Sequence, residues 1–139
     1  MAILDKGPNI DISVLAGEKM AGDDEYDDSA YINRVVCLNS DGEAIYPTAI
    51  TDIPFGVLIK GNLEGYPVTV RRFGIVPIKV GATLTLPNIL GIGSDGGTID
   101  GRVKAAVSTN YPVGDLMEAS DAEDDIVTMF VNISNVAKA

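Results

Sequence analysis

Residues 67–80, PVTVRRFGIVPIKV, carry the longest β-signal of the chain. Val68 and Val70 alternate with Thr69 and Arg71, and Val76, Ile78 and Val80 alternate with Pro77 and Lys79. This two-residue period is that of a strand with one buried face. Gly74 stands between the two halves, where the reading predicts a shift of phase and a bulge or sharp bend. Pro77 has no amide hydrogen to give a ladder, so its nitrogen is expected to face an edge or a bulge.

Working outward, 55–59 (FGVLI) and 30–38 (AYINRVVCL) read as short buried strands. The turn 39–42 (NSDG) ends in Asp-Gly, a strong hairpin signal because glycine supplies the positive φ of a tight turn. A second turn lies at 62–65. Downstream, 81–101 is rich in glycine and turn residues around a short 84–86 segment, 102–108 alternates again, and 112–119 reads as a strand. The run 126–133 (IVTMFVNI) is apolar on both faces and predicts a strand covered twice. At the other end Ile10, Ile12 and Val14 alternate with Asp11 and Ser13, behind the breaker Gly7-Pro8. No window holds a capped helical period, and no internal repeat marks a solenoid. The expectation is an all-β domain over 15–139, a mainly antiparallel small barrel or sandwich, with an extended N-terminal arm over 1–14.

The composition narrows the chemistry. With no histidine and no tryptophan, the usual proton shuttle and commonest metal ligand are missing. Cys37, alone in an apolar run, reads as a buried thiol acting as a small hydrophobe. The net charge of −10 is uneven: acids crowd 23–28 and 121–125, while six basic residues face three acidic ones between Pro54 and Pro112. Such a field disfavours nucleic acid, whose binding rests on phosphate neutralisation. No apolar stretch has membrane-spanning length, the first residues do not resemble a signal peptide, and a cytoplasmic origin is expected. The sequon at Asn132 then falls inside a strand.

Each motif has a plainer reading. Gly91, Gly93 and Gly96 match the dinucleotide fingerprint GxGxxG, but that motif needs a following helix, and here a glycine-rich loop leads to a strand. Asp95 and Asp100 among glycines resemble one copy of a calcium repeat that needs tandem copies. The acids of 23–28 read as a solvated loop. Arg71 and Arg72 point to opposite faces, so one is expected in an ion pair and the other at the surface. Glu118, beside Met117 and Ala119, is the carboxylate in the most apolar setting, so a hydrolase using carboxylates alone would rest on it. No cofactor or metal is expected.

The order of Ile53-Pro54-Phe55-Gly56-Val57-Leu58, Gly65-Tyr66-Pro67-Val68-Thr69-Val70, Gly74 and Val80-Gly81-Ala82 resembles the capsid decoration (cement) proteins of tailed bacteriophages. The flanks agree: Ala16-Gly17-Glu18, Val35-Val36 before Asp41-Gly42, Asp100-Gly101-Arg102-Val103, Val113-Gly114, Glu118-Ala119 and the run from Ile126. The resemblance covers most of the chain from about Ile10. It implies a non-enzymatic β-barrel-like domain on the outside of an icosahedral head, often a homotrimer, bridging major capsid subunits without touching nucleic acid or membrane. It further implies an N-terminal arm that adds to the capsid's sheet, placing Ile3, Leu4, Ile10, Ile12 and Val14 at the capsid or oligomer contact. Deleting residues 1–14 is then expected to leave a folded domain that no longer attaches. The alternative is a tail or fibre module, with carbohydrate as its ligand.

Overall fold

The computed structural model describes residues 8–94 and 97–139 and is all-β, with antiparallel ladders throughout. Nine strands follow in chain order among the described residues: β1 (Ile10–Leu15), β2 (Arg34–Leu38), β3 (Ala44–Ile45), β4 (Gly56–Lys60), β5 (Pro67–Lys79), β6 (Ile89–Ile92), β7 (Val103–Ala105), β8 (Gly114–Leu116) and β9 (Ile126–Asn132). They form one curled sheet in the order β3-β2-β4-β5-β9-β8-β6-β7, with β1 also paired to β5.

The 13-residue β5 is the spine. Its first half pairs with β1 and β4, its second with β9, and Phe73 is the hand-over residue, registered with both Ile10 and Asn132. The expected phase shift at Gly74 does not occur. Val68, Val70, Gly74, Val76 and Ile78 are all buried, so even residues hold the inner face on both sides of the exposed Arg72, where the register with β1 shifts between Arg71 and Phe73. What changes across Gly74 is the core: Val68 and Val70 enter one cluster, Val76 and Ile78 another. Gly74, at φ +120°, lies where a Cβ would collide with Asn9, so the position requires glycine. Lys79 N–H donates to Asn33 O on the side of β5 away from β9. Pro77, two residues before, turns its nitrogen the same way, and so costs the β5–β9 ladder nothing.

The sheet curls into two lobes around this spine. In the small lobe β1, β4, β2 and β3 wrap the first half of β5, and a bridge between Ala16 and Ala44 joins the ends. Its core holds Ala16, Met20, Val36, Ala44, Leu58, Val68 and Val70. In the large lobe β9, β8, β6 and β7 follow the second half of β5, and a Val80–Val103 bridge joins them. Its core centres on Ile78, Leu90, Met129 and Val131. Strands β2 and β4 are the wall between the cores: Val35, Cys37 and Val57 face the large one, Val36 and Leu58 the small one. A strand buried on both faces needs an unbroken apolar run, which is what VVC and VL supply.

Two expectations change. The last strand, β9, is not buried twice: Val127, Met129 and Val131 face the core, while Ile126 is exposed and Phe130 is half-buried, edge-on to Phe73 with ring centroids 5.0 Å apart. The turn-rich stretch 81–101 contains a strand, β6, paired with both β7 and β8. Gly91 had disguised it; a Cβ there would fall 2.6 Å from Asn110 Oδ1, so the glycine admits that buried side chain.

Candidate interaction surface

The N-terminal strand offers backbone rather than side-chain chemistry. In the β1–β5 register Ile12 faces Val70 and Val14 faces Val68. Ala16 N–H donates to Tyr66 O at 2.9 Å, so the even residues of β1 spend their backbone groups on β5. Asp11 and Ser13 therefore turn theirs outward, and no described strand forms a ladder beside them; beyond them the bridge between Ala16 and Ala44 closes the edge. In that bridge Gly17 N–H reaches Ala44 O at 2.8 Å. Asp11 binds Arg71 at 2.8 Å and pins the start of the strand.

Of the residues expected at a contact, Ile12 and Val14 are half-buried against the small core side of the sheet, and Ile10 is 53% exposed. Ile3 and Leu4 lie outside the described residues. Ile10–Leu15 crosses the boundary drawn at residue 14 and shares the sheet of the domain. A deletion through Val14 would strip one edge of β5 and uncover Val68 and Val70.

Arg71 makes the expected ion pair, while Arg72 donates to Phe55 O and lies over its ring, 4.4 Å from the centroid. The acids of 23–28 are mostly exposed, as expected of a solvated loop, and two of them also brace the backbone. Asp27 and Asp28 accept backbone N–H groups of Asp23 and Gly61, which lets Met20 and Ala21 sink into the fold. The second acidic cluster answers an arginine that sequence alone leaves unassigned. Arg102, its side chain 11% exposed, reaches Asp100 at 2.9 Å, Glu123 at 2.7 Å and Asp124 at 3.1 Å. Arg34 on β2 contacts Asp100 from the other side at 3.1 Å. Partial burial pushes the Asp100 carboxyl upward, but the Arg102 hydrogen bond and the Arg34 charge outweigh it and hold it below its ordinary value.

Beside this network lies a cleft of about 350 Å³ lined by Glu18, Ala30, Tyr31, Arg34, Tyr46, Ile99 and Asp100. Tyr46 O–H donates to Tyr31 O at 2.8 Å, and its N–H donates to Glu18 Oε2 at 3.2 Å. Burial raises the Tyr46 phenol well above its ordinary value; Arg34 opposes, and Glu18, Tyr31 and Asp100 add to the rise. The ring stays a neutral phenol.

The remaining candidates resolve into structure. Glu118 accepts the N–H and hydroxyl of Thr128 at 3.1 and 3.3 Å. Burial pushes the Cys37 thiol up to about 12, with the charge of Asp52 adding. Gly91 and Gly93 belong to the β6–β7 hairpin, whose described residues include no helix; Asp95 and Gly96 lie outside the described residues. Among the described residues no group of three or more His, Cys, Asp and Glu side chains is placed to hold a metal, and no helix is long and apolar enough to cross a membrane. Sequence reasoning missed Asn110 and Ser120, both buried. Asn110 ties Ile50 O and Val107 N–H, and Ser120 ties Ala82 O and Leu84 N–H. The chain matches no protein-family model, and no curated protein matches it.

Proposed function

We propose that this chain is a decoration protein of a tailed-bacteriophage head, a structural, non-enzymatic component that binds the outer capsid surface and bridges major capsid subunits. The observation that carries the reading is the outward edge of β1, where Asp11 and Ser13 turn their backbone groups away from β5 and no described strand forms a ladder with them. An unpaired edge accepts a further strand by main-chain hydrogen bonds, with alternate side chains giving specificity. Exposed Ile10 and Leu15 flank that edge and add apolar area to the contact. In a homotrimer three such edges act together, so a weak contact per subunit becomes firm attachment. The charge of −10 keeps the protein off the packaged genome and soluble at high surface density.

The test is to add purified protein to undecorated heads, pellet them, and heat them with and without chelator. Bound protein and a raised disruption temperature are expected. Heads that pellet bare and break at an unchanged temperature would remove the proposal. A carbohydrate-binding tail or fibre module is favoured instead by the exposed Tyr26 and Tyr66, and selective binding in a glycan screen would establish it.

A further inference from the structure

We propose that the cleft between Glu18, Tyr31, Tyr46 and Asp100 receives a basic side chain, an arginine or lysine presented by a partner protein. The proposal does not rest on the head-decoration reading. Two tyrosines and two acidic residues line one open volume of about 350 Å³. Aromatic faces with carboxylates beside them are the chemistry that recognises guanidinium and ammonium groups.

Arg34 shares the cleft but is already engaged. Its Nη1 is held by the Asp100 carboxylate at 3.1 Å and by Asp100 O at 3.3 Å. The cleft is lined by Glu18 and Asp100 against Arg34, two carboxylates to one guanidinium, while Arg102 behind Asp100 is matched by Glu123 and Asp124. The surplus is negative, so an incoming anion is repelled and a cation drawn in. Glu18 supplies the accessible charge. It is exposed, and of its two oxygens Oε2 holds the Tyr46 N–H. The Tyr46 oxygen, having donated its proton to Tyr31 O, keeps lone pairs to accept from the ligand.

The probe is acetyl-arginine methylamide, titrated into the intact protein and followed by amide chemical shifts. Its neutral citrulline counterpart and acetyl-glutamate methylamide are the controls. Saturable shifts confined to residues 18, 30–34, 46 and 99–100, with millimolar affinity for the arginine probe alone, are expected. Glu18→Gln keeps an acceptor for Tyr46 N–H, so the fold is retained; it should weaken the arginine probe about fivefold. No shift at tens of millimolar, an equal response to citrulline, preference for the glutamate probe, or unchanged affinity in Glu18→Gln would each overturn the assignment.

Discussion

The two lobes share one strand yet differ in how they are finished. The large lobe buries fifteen residues in its core and the small lobe seven among the described residues. The large lobe closes on its own backbone through Val80 and Val103. The small lobe draws Met20 from the acidic loop, and among the described residues no strand forms a ladder with the outer side of β1 before the Ala16–Ala44 bridge. Stability is thus concentrated on one side of β5 and an unpaired edge on the other. A protein that must pair with something else benefits from that division, because edge strands tolerate recruitment only when the rest of the fold is secure.

The comparison breaks first if the lobes are separable. Leu90→Ala in the large core and Leu58→Ala in the small one each remove a fully buried side chain and should cost about 3 kcal/mol. Because β5, β2 and β4 serve both cores, each variant should shift a single urea transition followed by circular dichroism. Two transitions, with Leu58→Ala moving one alone, would mean that the lobes fold independently.

A smaller effect is expected at the clamp joining the loop 99–102 to the acidic turn 121–125. Arg102→Met should cost about 1–2 kcal/mol at neutral pH, a figure discounted for the solvent around Glu123 and Asp124. The sign of the pH dependence follows from Asp100, whose folded value is depressed. Its contribution is complete above the ordinary 3.8 and is lost as pH falls through the lower folded value. The gap between native protein and variant should therefore narrow in acid. A gap that widens on acidification would contradict the clamp.

Smaller still is the change at the wall between the cores. Cys37→Ala removes one buried sulfur and should cost about 1 kcal/mol. In the native protein a thiol held near 12 leaves roughly one part in 10⁴ as thiolate at pH 8. A disulfide reagent should thus react only on unfolding, and rapid labelling of folded protein would show that β2 is less protected than described.

The strands were legible where their signal is local. Alternation over 67–80, the Asp41-Gly42 turn and the apolar runs of β2 and β4 report their own environment residue by residue. Reading failed where burial is decided by distant partners. Gly91 looked like loop because the Asn110 side chain that fills its space lies far along the chain. Nothing local marks Arg102, because its carboxylates are brought together only by the curl of the sheet. Met20 was hidden inside a polar loop, and no periodicity marks a single residue that plugs a core. Alternation in residues 10–14 identified the strand, but the register that pairs it with β5 is a tertiary fact.

The edge itself can be removed without touching the ladder behind it. Ser13 turns its N–H outward, so Ser13→Pro deletes one outward donor and sets a ring against any added strand, leaving the bonds of Ile12 and Val14 to β5 intact. Ser13→Ala is the control, and thermal melts should place both variants within about 1 kcal/mol of the native protein. In cosedimentation with undecorated heads, the native protein and Ser13→Ala should pellet while Ser13→Pro stays in solution. Pelleting of all three in equal amount would contradict attachment through β1, and pelleting of none would contradict attachment altogether.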